Sequence, residues 1–355
     1  MNKNKPVTIK DVARSCGVSM VTVSRVLSGS DYPVKDETRE KVLKAAEALN
    51  YQPNLLARGL KTNKTTEIVV VVPSITNPFY TSIITGVENV AIKNGYSVTL
   101  FNCANRHGST VSIIESIVNR RVDKVVLSTG DSLALQVKKL LSKHVKVVLV
   151  DCWIPEVDCH RIYFDYRKGA RMITEYLINK GHRRFVYLGL KPDSQTRIDR
   201  VEGFKDALKD ADLEFSDDFI IYFDESEAMD SNRENIEFKA DFALANDVLA
   251  SPVKPTAIVA ANDMMALGVL SYCNSVNIKV PDDISVVGFD DSIFSELSHP
   301  AITTIRVPAE HMGEMAAKLL FNEEESNTPK YNIVLEPELI VRNSVKVMSD
   351  MKSIY

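Results

Sequence analysis

Apolar positions along this chain follow two regimes. Through the first fifty residues they recur three and four apart in short bursts broken by polar turns. From Ile68 onward they run together in blocks rich in Val, Ile and Leu, alternating with amphipathic stretches. The first regime predicts short helices around a small core. The second predicts buried parallel strands joined by helices. Strands are expected over 68–72, 98–101, 124–128, 147–150, 185–188, 219–223, 257–260 and 284–289. Helices are expected over 79–93, 110–119, 169–179, 266–275 and 309–320, with a last strand pair within 333–342. This is too much strand for one open sheet of ordinary width. The fold class is therefore α/β, with two Rossmann-like lobes of parallel sheet behind a small all-α domain. Crossings between the lobes are expected near 164–167 and 291–292.

The opening bursts carry a motif. Thr8 followed by Asp11 reads as a capping-box-like helix start. Val12 and Ala13 face inward, Gly17 suits a sharp turn, and Ser19 caps a second helix. Val23, Val26 and Leu27 would pack inward. Met20, Val21, Thr22, Ser24 and Arg25 are left along the other side. This is a helix-turn-helix, whose second helix suits the DNA major groove. Arg25 can bond a guanine edge through two N–H groups, Met20 and Val21 can touch thymine methyls, and Thr22 and Ser24 can bond phosphate or base. A helical hairpin with no nucleic-acid role is the alternative reading. A third helix is expected over 36–50, and Pro53 can open a short helix that needs a partner to hold it.

Charge sharpens the picture. Residues 1–64 hold 12 basic and 6 acidic side chains, a balance of +6, while the remainder carries −10. A basic head on an acidic body is an electrostatic footprint for phosphate. The chain of 355 residues, 45% hydrophobic and 25% charged, has the composition of a globular protein with a small head and a large body. Neither a membrane-spanning run nor a secretory signal is apparent. Five scattered cysteines lack zinc spacing, which predicts reduced thiols and a cytoplasmic location.

Ligands of open parallel sheets bind beyond the carboxyl ends of the strands. Those ends carry Phe79 and Tyr80; Asp151 and Trp153, the only tryptophan; Thr196, Arg197 and Arg200; Asn262; and Asp290. Carboxylates, arginines and aromatics in one crevice suit a small polyhydroxylated or anionic ligand. Asn262 reads equally as a helix cap, and Trp153 equally as core. No G-x-G-x-x-G follows a strand, and the P-loop, H-E-x-x-H and G-x-S-x-G motifs are missing. A binding protein without a cofactor or a bound metal is expected rather than an enzyme.

Several stretches together resemble the LacI/GalR family of bacterial regulators. They are Val7 to Ala13 and Val23 to Leu27, Glu37-Thr38-Arg39-Glu40-Lys41-Val42, Leu49-Asn50-Tyr51-Gln52-Pro53-Asn54, and Asn77-Pro78-Phe79-Tyr80. Further matches are Lys180-Gly181-His182, Arg200-Val201-Glu202-Gly203-Phe204, Ala261-Asn262-Asp263-Met264, Val280-Pro281-Asp282-Asp283 through Asp290, and Thr303-Thr304-Ile305.

The resemblance implies a headpiece (1–52), a hinge helix and linker (53–64), a two-lobed effector-binding and dimerisation core (65–345) and a tail (346–355). Lobe 1 would take about 65–164 and 292–324, and lobe 2 about 165–291 and 325–345. It implies a homodimer on a pseudopalindromic double-stranded operator, contacted by Thr8, Ser19, Met20, Val21, Thr22, Ser24 and Arg25. Asn54 and Ala57 would join from the hinge, and Leu60 would wedge into the minor groove. It also implies an effector held by Arg200 and Asp290, with Phe79, Tyr80, Thr196 and Asn262 nearby.

Two departures stand out. Lys35 occupies the place of a usual Ser cap, and Asp165-Tyr166 replaces the common Asp-Asn. The stretch 196–200 with Asp151 and Trp153 is similar to branches responding to sugar acids, where two arginines in one loop would suit a carboxylate. A global catabolite-control role with a phosphoprotein co-effector is the alternative. A solute-binding protein is a further one, opposed by the basic head.

Overall fold

The structure is a computed structural model that describes residues 7–27, 32–51, 65–103, 107–129, 133–213, 216, 219–223, 248, 254–322 and 329–348. The chain divides into two compact units, Met1–Thr66 and Glu67–Tyr355. The expected hinge helix, with Asn54, Ala57 and Leu60, lies outside the described residues, as does the end of the tail.

The first unit holds α1 (Ile9–Cys16), α2 (Met20–Leu27) and α3 (Asp36–Ala48). Their core is Val12, Ala13, Val23, Val26, Val42 and Ala46. Gly17 ends α1 in the left-handed region at φ +69°, where a side chain would be strained. Lys35 starts α3 without a side-chain cap bond, as its departure from Ser leads one to expect.

The second unit is built on two parallel sheets. The larger has six strands in the order β11-β5-β4-β3-β1-β2 and the smaller has four, in the order β7-β6-β8-β9. The strands are β1 (Glu67–Val72), β2 (Ser97–Asn102), β3 (Lys124–Leu127), β4 (Lys146–Val150), β5 (His160–Phe164), β6 (Phe185–Leu190), β7 (Ile220–Phe223), β8 (Ala257–Ala260), β9 (Ser285–Val287), β10 (Thr304–Arg306), β11 (Asn332–Leu335) and β12 (Glu338–Ile340). The helices are α4 (Pro78–Lys93), α5 (His107–Asn119), α6 (Ala134–Ser142), α7 (Tyr166–Asn179), α8 (Gln195–Asp210), α9 (Asp263–Ser275), α10 (Ile293–Leu297) and α11 (Ala309–Phe321). Central strands such as Val69–Val72 are fully buried, because helices cover both faces.

Helix starts are set by short polar side chains. Asn77 accepts from the Phe79 amide at 3.0 Å ahead of Pro78. Asp165 accepts from Lys168 at 2.9 Å, and Asn262 from Met265 at 2.9 Å. Helices α4 and α11 pack along each other beside the larger sheet. Their approach depends on Gly313, since a Cβ there would lie 2.0 Å from the Ile83 carbonyl oxygen.

The closing segments differ from the expected pattern. The strands near the C-terminus do not pair with each other. β11 joins β5 at the edge of the larger sheet, and β12 runs antiparallel to β10. Residues 325–345 thus do not all belong to the second lobe. The return crossing also comes later than 291–292. Thr303 pairs with Val287 and α10 packs on α9, so the chain leaves the smaller sheet only after Thr303.

Charged side chains tie these crossings, with Asp291 and Arg342 largely buried. Asp291 accepts from Arg342 at 2.6 Å and from Arg306 at 2.7 Å, and Arg306 also holds Glu338 at 2.7 Å. Asp263, on α9, accepts from the Thr304 hydroxyl and the Ser292 amide, each at 2.7 Å. Burial pushes the Asp263 carboxyl up to about 6, against the pull of those bonds. The folded state therefore binds more protons than the unfolded chain between about pH 4 and 6. The stabilising contribution is full below that window, falls as pH rises through it, and is level above it. Asp263→Asn should flatten this slope, which amounts to roughly 3 kcal/mol across the window. Chemical denaturation at pH 4, 5, 6 and 7 checks it, and an unchanged slope contradicts it.

Candidate nucleic-acid interface and effector cleft

The face of α2 is organised by its own cap. Ser19 Oγ accepts from the Thr22 amide at 3.1 Å and shares a hydrogen bond with the Thr22 hydroxyl at 2.9 Å. Val23 and Val26 go into the core, which leaves Met20 and Val21 about half exposed. Ser24 and Arg25 are half-buried on the same helix. Thr8 is exposed, and the Asp11 carboxylate accepts from its amide at 3.0 Å and its hydroxyl at 2.6 Å. That pair of bonds, strongest from the Thr8 hydroxyl, holds the Asp11 carboxyl below its usual range. Helix α2 thus carries exposed apolar side chains at Met20 and Val21, hydroxyls at Thr22 and Ser24 and a guanidinium at Arg25. One neighbour escaped the sequence reading: the Arg25 guanidinium lies 3.7 Å above the Tyr32 ring. A lone aromatic in a polar turn was the available signal.

A cluster around Arg200 of α8 forms beyond the carboxyl ends of β4, β5 and β9. Arg200 is at the centre. Its guanidinium lies 4.1 Å above the Tyr166 ring and 5.0 Å from that of Phe289, and 3.8 Å from Asp290. Tyr166 is fully buried and donates its hydroxyl to Asp151. Burial of Arg200 works against its charge, but Tyr166, Asp290 and Asp151 outweigh it and hold the guanidinium firmly protonated. Its Nε is buried without a hydrogen-bond partner among the described residues. A buried donor of this kind is costly unless something accepts from it.

Backbone strain marks the same place. Asp290 sits at φ +110° and Asp151 at φ +56°, both unusual for a side-chain-bearing residue. Asp290 is held there by its amide to Ile305 at 2.8 Å and its carbonyl to Val307 at 3.2 Å. Phe79 and Asp290 also line a cavity of about 440 Å³ that extends to Thr81, Arg306 and His311.

The other expected residues make contacts within the chain. Trp153 packs edge-on against Tyr163 at 5.6 Å with Arg161 over its ring at 5.2 Å, and Tyr163 donates to Asp199 at 2.7 Å. Tyr80 packs edge-on against Phe79 at 5.0 Å. Thr196 is buried against Ser194 at 3.3 Å. The Asn262 side chain is engaged as the α9 cap. Arg197 turns to Asp193 at 2.9 Å and to the Lys191 carbonyl at 3.1 Å. Sequence reading did not single out Tyr163 or Phe289, and it named Tyr166 and the stretch holding Asp199 without giving either residue a role.

Comparison with known proteins agrees with this division. Residues 8–54 match the description "Bacterial regulatory proteins, lacI family", and residues 174–345 match "Periplasmic binding protein-like domain". The chain is 33% identical over 346 residues to the HTH-type transcriptional repressor PurR of Vibrio parahaemolyticus, covering 96% of this chain and 99% of the relative. It is 32% identical to catabolite control protein A of Priestia megaterium, again over 96% of this chain and 99% of the relative. Among solved structures it resembles the lac repressor dimer bound to operator and the anti-inducer ONPF, with TM-score 0.82, 26% identity, and 96% and 100% coverage. It also resembles the CelR–cellobiose complex, with TM-score 0.69, 29% identity, and 95% and 99% coverage. The basic helix-turn-helix head, the two parallel-sheet lobes and full-length similarity to repressors place this chain in the LacI family, as a non-enzymatic DNA-binding transcriptional repressor with an effector-binding core.

Proposed function

We propose that the chain binds a two-fold operator as a homodimer and that a small polyhydroxylated ligand, a sugar or sugar acid, controls its grip on DNA from the cleft. The buried Arg200 carries this reading. Its Nε is buried with no hydrogen-bond partner among the described residues, the buried rings of Tyr166 and Phe289 support the guanidinium from behind, and Asp290 can accept from hydroxyls. That is the donor and acceptor pair that a sugar hydroxyl needs. One guanidinium is flanked by two carboxylates, and Arg197 is engaged with Asp193. The balance favours a neutral sugar over a sugar acid. The similar CelR structure holds cellobiose, and the similar lac repressor is a dimer on operator.

A thermal-shift screen tests the ligand class. The panel is neutral sugars, sugar acids, phosphosugars, nucleosides and purines against the purified protein. A ligand at 100 times its Kd should add roughly 2.7 kcal/mol of stability. Hits among neutral sugars are expected. Hits confined to sugar acids reverse the preference within the class, and hits confined to purines or nucleosides reject it.

On the DNA side, Arg25→Ala should weaken binding to a selected operator by roughly 1–3 kcal/mol while sparing random duplex. Fluorescence anisotropy on both duplexes checks this. Equal losses on the two would remove the base-reading role.

A further inference from the structure

We propose that Tyr32 is a positioning residue for base recognition, holding the Arg25 guanidinium flat on its ring in the orientation that reads a base edge. This rests on the reading of Arg25 as a base-contacting side chain. Three observations carry it. The Arg25 Cζ is 3.7 Å from the Tyr32 ring centroid, well inside cation–π range. Tyr32 is 53% exposed and takes no part in the core of the head, so packing does not account for a large aromatic there. Arg25 projects from α2, whose Val23 and Val26 are fixed in that core, whereas Tyr32 comes from the turn before α3. The stack therefore joins the recognition helix to a separate segment. Pro33 follows directly and restricts the Tyr32 backbone to extended conformations, which fixes where the ring stands.

The chemistry suits recognition. A free arginine is a long side chain with many rotamers, and ordering it on DNA costs entropy. A guanidinium lying on an aromatic face has already lost much of that freedom. Guanidinium N–H groups lie in the plane of the group, the geometry that makes paired bonds to guanine O6 and N7. The ring supplies no base-specific hydrogen bond of its own in this scheme. Its contribution is to the orientation of Arg25.

The test is a double-mutant cycle in the full-length protein. A duplex is first selected from a random pool with the wild-type chain. Binding of Tyr32→Ala, Tyr32→Phe, Arg25→Ala and the Arg25→Ala/Tyr32→Ala double variant is then measured on that duplex and on random duplex, with far-UV circular dichroism to confirm folding. Tyr32→Ala should lose about 2- to 5-fold in affinity for the selected duplex, the size of an exposed cation–π contact, and far less on random duplex. Tyr32→Phe should restore wild-type affinity, because the ring face is retained. In the Arg25→Ala background, removing Tyr32 should change nothing further. A full Tyr32→Ala loss in that background, equal losses on both duplexes, or failure of phenylalanine to restore binding would each overturn the proposal. Wild-type affinity for Arg25→Ala is a separate failure, since it removes the base-reading role on which the stack depends.

Discussion

Arg200→Met is expected to weaken effector binding by about 30-fold to a few thousandfold, the outcome when a buried charged donor is removed from a binding site, at roughly 2–5 kcal/mol. The side chain is 13% exposed and combines three contributions in one group: stacking on Tyr166, charge against Asp290, and an Nε donor with no acceptor among the described residues. Methionine keeps volume and loses all three. It also leaves the 7%-exposed Asp290 side chain near Asp151 without their shared cation, so the core should lose about 3–5 kcal/mol of stability. Arg200→Lys separates the two effects. It restores the charge, and with it much of the stability, but not the planar donor or the stack. Calorimetric titration with the ligand found in the screen, alongside denaturant melts, distinguishes these outcomes. Near-normal ligand affinity in Arg200→Met would place the effector elsewhere.

The second large effect concerns the larger sheet. Gly313→Ala puts a methyl 2.0 Å from the Ile83 carbonyl oxygen and 2.9 Å from its carbonyl carbon. Alanine in a helix interior normally gains about 1 kcal/mol over glycine. Here the clash is with backbone, which cannot rotate away as a side chain can, so α4 and α11 must move apart along a buried seam. Overpacking of this kind costs about 1–3 kcal/mol, and a helix-to-helix backbone contact belongs at the upper end. The net effect is therefore destabilising despite the propensity gain. Gly313→Leu should prevent stable packing of α11. Urea denaturation of both variants checks this, and a Gly313→Ala protein as stable as wild type would contradict it.

Much of this architecture is written in local patterns. Val-rich blocks mark the buried strands because a strand covered on both faces has no polar side. Asn77, Asp165 and Asn262 mark helix starts because their short side chains replace missing backbone acceptors. What stayed hidden depends on distant partners. β5 begins with His160 and Arg161, which do not read as buried, and the guanidinium is accommodated by carbonyls of Ile154 and Val157. β10 and β12 are three residues each and gain meaning only from each other across the chain.

The cleft divides in the same way. Arg200 and Asp290 stand out as charges at strand ends. Tyr166, by contrast, looks like an ordinary helix-start residue, and its place beneath Arg200 comes from the crossing between lobes. Arg197 reads as a second cleft cation from spacing alone, but Asp193, four residues earlier, captures it. The Asp291–Arg342 pair spans fifty-one positions in sequence and leaves no local trace.

Coupling between cleft and DNA is the centre of this account, and one titration addresses it directly. Full-length protein is titrated onto the selected duplex and onto random duplex by fluorescence anisotropy, with and without saturating ligand from the thermal-shift screen. The selected duplex should bind at least roughly a thousandfold more tightly than random DNA. Saturating ligand should change its Kd by about 5- to 150-fold, the usual range of allosteric coupling. Equal affinity for the two duplexes, or a Kd for the selected duplex that ligand leaves untouched, would contradict it.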